Sequence, residues 1–194
     1  MEKSQDCFSC TLDEFLEKLA SGSATPGGGS AAALTGAMAA GLVSMVCNLT
    51  LGKDAYSEFE NLNHDSLRKS QELIRDLKLC AENDIAAYNR VMSAFKIPKS
   101  QEDRSEKIQE SYKNAVIPPE QTVENCLEVL KLARELINKS NRNASSDLYS
   151  AIFLAKAAIS CAIENVEINL ALIKDPEFLR EKRSWLAELK GEIA

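Results

Sequence analysis

An uncharged run of 21 residues, 31–51, constrains the fold of this chain more than any other feature. A helix of that length can cross a bilayer. Its composition argues against this, because Ala, Gly, Ser, Thr and Asn dominate while the residues that drive insertion are few. Small residues four apart, at Ala33, Ala37 and Gly41, form a flat helix face that neighbours can approach closely. The run therefore predicts a central helix of a soluble bundle, surrounded by other helices on all sides, with no role for a membrane.

The remainder of the chain also has helical periodicity. Thr11 and Glu14 form a capping box, and Pro98 ends a long apolar stripe. No run of β-branched residues has a period of two, and no repeat of 20 to 50 residues is present. The sequence predicts one all-α domain over residues 1–194, a bundle of about six helices. After the central helix, the predicted helices span residues 55–95, 101–115, 118–139, 145–174 and a short C-terminal segment from 176.

Charge and cysteine content exclude several classes of function. The formal net charge is −6 and no Lys/Arg cluster interrupts the acidic background, which argues against nucleic acid as a partner. Cys7 and Cys10 form a C-x-x-C pair, but no second pair accompanies them and His64 is the only histidine. The sequence therefore predicts no metal site. Single cysteines in apolar stretches and a polar N-terminus indicate a reduced, cytoplasmic protein.

Three consecutive glycines, Gly27, Gly28 and Gly29, stand with Ser30 immediately before the uncharged run. The spacing Gly-x-Gly-x-x-Ala formally matches a dinucleotide fingerprint, but that motif requires a preceding strand and the segment here is helical. Bare backbone N–H groups at a helix N-terminus can contact polar or negative atoms of a ligand. The alternative is a tight corner that needs positive φ angles. Three glycines followed by serine favour a binding loop.

Two aspartates occupy unusual positions. Asp84 lies on the apolar stripe of the long helix, where an unpaired ionised carboxylate costs several kcal/mol. It either faces a functional cavity or lies at the rim of the stripe. Asp147 is in the first turn of a later helix and starts a face of alanines that ends at Asn165 and Asn169. That face predicts either a ligand slot or a second close contact between helices.

These residues together resemble the cyclodeaminase/cyclohydrolase family, the all-helical domain found at the C-terminus of formiminotransferase-cyclodeaminase and also as a free-standing folate enzyme. The resemblance runs from Leu12 to Asn169, and its most specific part is the triglycine–serine segment followed by LT-x-GK. Further matching segments are Asp84-x-x-Ala87-Tyr88, Pro98-Lys99, Ser146-Asp147 and Asn165-Val166-x-x-Asn169.

The resemblance implies a homodimer that acts on one-carbon tetrahydrofolates without a metal or any cofactor beyond the folate itself. Asp147 and Asp84 become the candidate acid/base carboxylates, and Lys53 becomes a proton donor or orienting cation. The predicted substrate-binding residues are Gly27, Gly28, Gly29, Ser30, Tyr88, Ser146, Asn165 and Asn169, with Lys99 and Arg104 as cations for the glutamate tail.

Two enzymatic activities and one non-catalytic role are compatible with this pattern. Hydrolysis of 5,10-methenyltetrahydrofolate to 10-formyltetrahydrofolate is favoured because no formiminotransferase half is present in the sequence. Ring closure of 5-formiminotetrahydrofolate with loss of ammonia is the enzymatic alternative. A non-catalytic helical dimerisation module is the alternative from another class, and it predicts decayed acids and glycines, which this sequence retains.

Overall fold

The computed structural model describes residues 11–193, with side chains to residue 189, so Cys7 and Cys10 lie outside the described part. Within it, all regular structure is helical, which confirms the predicted all-α class. Short 3₁₀ turns at Asp54–Phe59 and Arg142–Ala144 precede α3 and α5. The six helices are α1 (Leu12–Leu19), α2 (Gly28–Thr50), α3 (Glu60–Phe95), α4 (Arg104–Glu135), α5 (Ser145–Leu170) and α6 (Pro176–Ile193).

Helix α2 is the centre of an antiparallel bundle formed with α3, α4 and α5. Its small residues allow this packing. A Cβ on Gly36 would overlap the Cys126 sulfur and lie 3.2 Å from Leu77 Cδ2, so α3 and α4 both approach the bare backbone at that point. Ala33, Ala39 and Ala40 are fully buried. The prediction of a central small-residue helix is therefore confirmed.

One side of α2 differs from the prediction. Met38, Met45 and Leu49 are 50%, 38% and 45% exposed, so the helix is covered on three sides only. Among the described residues, α2 alone has the length and hydropathy to cross a membrane, but most of it is buried against its neighbours. An uncharged helix with one bare apolar side is typical of a surface that another protein covers.

Helix α4 corrects a second prediction. Pro118 and Pro119 lie inside one continuous helix, although the sequence analysis placed a break before them. Proline lacks the N–H that would bond to the carbonyl four residues earlier, so Pro119 leaves the Ala115 carbonyl without its helical partner. Asn169 Nδ2 donates to that carbonyl at 2.9 Å. The side chain from α5 thus replaces the missing bond and allows α4 to continue.

The end of the bundle where α2 stops is fixed by side-chain hydrogen bonds. Asn141 Nδ2 donates to the Leu49 carbonyl at 3.1 Å, and the Asn141 N–H donates to Thr50 Oγ1 at 2.9 Å. Gly52 has φ of 74°, which a side chain would strain, and it turns the chain towards α3. These contacts hold Lys53 and the start of α5 at the same end of the bundle.

Helix α6 is attached to the outside of α4 by two ion pairs. Lys113 Nζ lies 2.7 Å from Asp175 Oδ2, and Lys182 Nζ lies 2.9 Å from Glu120 Oε1. Leu186 and Leu189 are buried in the same core cluster as α2 and α5. This helix therefore adds buried contacts to the outside of the bundle.

The contact between Asn169 and Ala115 leads to a double-mutant prediction. Asn169→Leu leaves a buried carbonyl without a donor, which we expect to lower the free energy of unfolding by about 1–3 kcal/mol. Pro119→Ala restores a backbone N–H at the same carbonyl. In the Pro119→Ala background, Asn169→Leu should therefore cost much less. Urea unfolding of the four proteins measures this coupling, and equal costs in both backgrounds would contradict the assigned role.

Candidate active site

The N-terminus of α2 is capped by a carboxylate from α3. Gly27, the residue before the helix, supplies no side-chain cap. Ser30 Oγ instead donates to Asp84 Oδ2 at 2.8 Å, and the Ser30 backbone N–H also bonds to this carboxylate. Asp84 thus places a carboxylate at the positive end of the α2 dipole, which offsets part of the cost of burying its charge. We call this region, Gly27 to Ser30 with Asp84 and Asn165, the glycine end.

Glycine is required at positions 28 and 29 because side chains from other helices approach the backbone closely there. A Cβ on Gly29 would overlap Asp84 Oδ1 and come within 2.6 Å of its Cγ. A Cβ on Gly28 would lie 3.2 Å from Asn165 Nδ2. Among the described glycines, positive φ occurs only at Gly52, so the tight-corner alternative does not explain the three glycines. Their bare backbone admits a carboxylate from α3 and an amide from α5.

Burial raises the pKa of Asp84 above its ordinary value, and this desolvation is the largest effect on it. The hydroxyl and N–H of Ser30 oppose the rise by hydrogen bonding to the ionised form. No cation among the described residues contributes. The site therefore holds a desolvated carboxylate without a positive partner, which favours a cationic ligand.

Residues beyond Asp84 on α3 form an exposed ledge. Tyr88, Met92 and Phe95 are 37%, 43% and 44% exposed. They are exposed because α3 extends past the start of α2, so nothing in α2 covers them. The sequence did not identify Met92 and Phe95 as surface residues beside the site, although the apolar stripe of α3 continues past Asp84.

The two asparagines predicted to bind substrate each have a partner within the chain. Asn165 Nδ2 donates to the Cys161 carbonyl at 2.8 Å, and its side chain lies against Gly28. Asn169 Nδ2 is used by the Ala115 carbonyl, as described above. Asn165 is therefore at the glycine end, whereas the amide nitrogen of Asn169 supports α4.

The two predicted cations of the α3–α4 loop are in different situations. Lys99 is exposed. Arg104 Nε donates to the Ile97 carbonyl at 2.9 Å, Nη2 donates to the Phe95 carbonyl at 3.3 Å, and the guanidinium lies 5.9 Å from the Phe95 ring. Arg104 thus caps the C-terminal end of α3, whereas the Lys99 side chain is exposed to solvent.

Lys53, Ser146 and Asp147 lie at the opposite end of the bundle, which we call the lysine end. Asp147 and Asn165 are 18 residues apart on α5, which places them on the same helix face about 27 Å apart. The alanines between them, Ala151, Ala158 and Ala162, are fully buried. The alanine face is therefore a close contact between helices, and the structure does not bring Asp147 and Asp84 together within one chain.

A separate concave surface lies on another side of α3. A cavity of about 310 Å³ lies between the end of α3 and the start of α4, lined by residues that include Arg90, Lys107 and Glu110. Arg90 points away from the Asp84 face of α3, because six residues turn a helix by about 240°. In the described part of the chain, no three His, Cys, Asp or Glu side chains lie close enough to hold a metal ion.

Comparisons with known proteins agree with this architecture. Residues 11–188 match the family described as formiminotransferase-cyclodeaminase. The chain is 42% identical over 188 residues to a methenyltetrahydrofolate cyclohydrolase of Methylorubrum extorquens, covering 95% of this chain and 89% of that protein. It is 27% identical to the rat formimidoyltransferase-cyclodeaminase, covering 97% of this chain and 36% of that protein.

A solved structure has the same fold. Formiminotetrahydrofolate cyclodeaminase of Thermotoga maritima superimposes with a TM-score of 0.87 at 29% identity, over 95% of this chain and 90% of that one. The predicted resemblance is confirmed by sequence and by structure, and the chain belongs to the formiminotransferase-cyclodeaminase family.

Proposed function

We propose that this protein hydrolyses 5,10-methenyltetrahydrofolate to 10-formyltetrahydrofolate. The 42% identity to a methenyltetrahydrofolate cyclohydrolase, over nearly the full length of both proteins, supports this activity. Cyclodeamination of 5-formiminotetrahydrofolate is the second candidate, because relatives and a solved structure with the same fold carry that name. Both reactions act at the carbon that bridges N5 and N10 of the folate.

The observation that carries the proposal is the isolated carboxylate of Asp84. The methenyl group is an amidinium-like cation, and a desolvated carboxylate without a cation of its own is its natural electrostatic partner. Burial strengthens the attraction between the two charges, since water no longer screens them. Ser30 holds the carboxylate in place through a 2.8 Å hydrogen bond.

The hydrolysis requires three proton transfers. A water molecule attacks the methenyl carbon and loses a proton to Asp84 as the new C–O bond forms. The bond between that carbon and N5 then breaks as N5 takes up a proton. The hydroxyl left on the carbon loses its remaining proton, so the carbon becomes the formyl group on N10 and one proton is released overall. We assign the proton delivered to N5 to a cationic acid. Lys53 of the partner subunit in a homodimer is the candidate, because Lys53 of the same chain lies at the opposite end of the bundle from Asp84.

The glycine end also offers contacts for the rest of the folate. In the first turn of α2, the N–H groups of Gly28 and Gly29 have no partner within the helix. They can donate to carbonyl oxygens of the ligand. Tyr88 provides a ring for stacking on the exposed ledge, and Lys99 provides a positive charge for the glutamate tail.

We further propose that the protein is a cytoplasmic homodimer that needs no metal. The exposed apolar side of α2, at Met38, Met45 and Leu49, supports a second copy as the partner. The proton transfers above need only carboxylate and ammonium groups, which the chain supplies itself.

The function is tested by following absorbance of the purified protein with methenyl- and formiminotetrahydrofolate in parallel. We expect faster loss of the methenyl absorbance than in a control with the same concentration of Asp84→Asn protein. Formation of methenyltetrahydrofolate with release of ammonia from the formimino substrate would favour the second candidate. Absence of both reactions would contradict a catalytic folate function.

Asp84→Asn should separate catalysis from stability. The variant keeps an acceptor for Ser30 but loses the base, so we expect turnover to fall by about 10²–10⁴. Because the folded-state pKa of Asp84 is raised, the ionised side chain destabilises the fold at neutral pH. The variant should therefore melt higher than the wild type at pH 7. The gain should shrink as pH falls towards 3.8, the ordinary pKa of the group, and a gain that persists in acid would contradict this account.

Gly28→Ala tests whether the glycine end contacts folate. Its φ angle is ordinary and the added Cβ meets only the Asn165 side chain, so stability should change by about 1 kcal/mol or less. Folate affinity should fall further, because the methyl group lies where the ligand approaches the backbone. Gly22→Ala is the matched control, since nothing lies within 4 Å of its added Cβ. A Gly28→Ala protein that melts early yet binds folate normally would contradict the contact.

A further inference from the structure

Four side chains of α3 follow one another at intervals of four residues. They begin at the glycine end and finish at the residue that caps the helix: Asp84, Tyr88, Met92 and Lys96. Residues four apart form a continuous ridge on a helix surface, and each step advances about 6 Å along the axis and about 40° around it. We call these four residues the α3 row, which is about 18 Å long. It presents a carboxylate, an aromatic ring, a thioether and an ammonium group in that order.

The α3 row is exposed, but the helix behind it is firmly packed. Tyr88 and Met92 are 37% and 43% exposed. On the adjoining side of α3, Val91 is buried in a cluster with Ala115 of α4. The middle of the row is therefore an open apolar surface whose position is fixed by the packing of α3 on α4.

Phe95 widens this surface near its far end. It lies three residues after Met92 and is therefore its neighbour on the helix. Its ring meets the ring of Tyr112 edge-on, with centroids 6.1 Å apart, and the Arg104 guanidinium lies 5.9 Å from it. These two contacts hold the Phe95 ring in place. A flexible thioether beside a fixed aromatic ring is a surface on which another planar ring packs well.

Charge is confined to the two ends of the α3 row. Arg90 is the one charged residue between Asp84 and Lys96, and it lies almost on the opposite side of the helix from Tyr88. Lys96 and Lys99, which follow the helix, are exposed and have no ion pair among the described residues. Both ammonium groups are therefore available to an anionic ligand.

The order of groups along the row is the order of groups in the proposed substrate. In 5,10-methenyltetrahydrofolate the cationic one-carbon bridge is followed by the p-aminobenzoyl ring, which is bonded to N10, and then by the carboxylates of the glutamate. With the cation at Asp84, the ring reaches the apolar middle and the carboxylates point towards Lys96. The reverse direction would bring carboxylates to Asp84, where like charges repel.

We propose that the benzoylglutamate half of the folate lies along the α3 row, with its ring on Met92 and Phe95 and its carboxylates at Lys96. The inference rests on the proposed folate chemistry and adds the direction of the substrate along α3 and the residues that select it. The ring and the carboxylates are unchanged by the reaction, so these contacts stabilise the ground state and the transition state equally. Their loss should therefore raise KM and leave kcat nearly unchanged.

Met92→Gln tests the apolar part of the row. The variant keeps the length of the side chain but makes the surface polar, and we expect KM to rise by about 2- to 10-fold. Leu79→Gln is the matched control, because Leu79 is 53% exposed on the same helix and lies on the side opposite Tyr88. The control should keep the KM of the wild type. A Met92→Gln protein with the KM of the wild type would overturn the inference.

Lys96→Gln tests the charged end. We expect KM to rise by about 2- to 5-fold at low ionic strength, and the difference from the wild type should shrink as salt is added, because the ion pair is exposed. Lys131→Gln is the matched control, since it removes a 70% exposed ammonium group near the other end of α4. A KM change that is independent of salt, or equal in the control, would contradict a contact between Lys96 and the carboxylates.

The fragment p-aminobenzoylglutamate, which lacks the pterin and the one-carbon group, separates this inference from the proposed function. It should bind the wild type in an NMR titration and bind Met92→Gln and Lys96→Gln more weakly. Fragment binding without folate turnover would remove the proposed function and leave the row as a benzoylglutamate site. Folate turnover with equal fragment binding by all three proteins would overturn the inference alone. It would also fall if Met92→Gln changed the mass by light scattering but not KM, since the row would then be a protein contact.

Discussion

The close approach of the Asp84 carboxylate to the first turn of α2 is the contact on which the candidate site depends. It is possible only because Gly29 has no side chain at the point where the carboxylate lies. The Ser30 hydroxyl and N–H then hold a desolvated negative charge at the positive end of a long helix. Removing any of these features changes either the position of the charge or the free energy of burying it. Helix packing and the chemistry of the site are thus set by the same residues.

The sequence was sufficient to predict most of the helices, because these depend on local patterns. The capping box at Thr11 and the uncharged run have local physical causes and were confirmed. The break predicted before Pro118 was wrong because the compensating bond comes from Asn169, 54 residues away. The local sequence shows that proline lacks a backbone N–H, but it does not show that a side chain from another helix supplies the missing hydrogen bond.

The positions of Asp147 and Lys53 show a different limit. Helical periodicity correctly places Asp147 on the same face as Asn165, yet the same geometry implies a separation of about 27 Å. A sequence pattern predicts which residues share a helix face. It does not predict which residues of other helices lie next to each end of that face. Likewise, the exposure of Met92 and Phe95 depends on where α2 begins relative to α3, and that offset is set by tertiary packing.

The raised pKa of Asp84 links substrate charge to protonation. A cationic one-carbon group that binds beside the carboxylate favours its ionised form, and by reciprocity ionisation of Asp84 strengthens binding of that cation. Burial makes the ionised form of Asp84 unfavourable, and on the proposed chemistry the charge of the substrate offsets this cost. Once the cation is neutralised by attack of water or of N10, the stabilisation is lost and the carboxylate regains affinity for a proton. On the proposed chemistry one carboxylate serves both reactions, and they differ in whether water attacks the methenyl carbon or N10 attacks the formimino carbon.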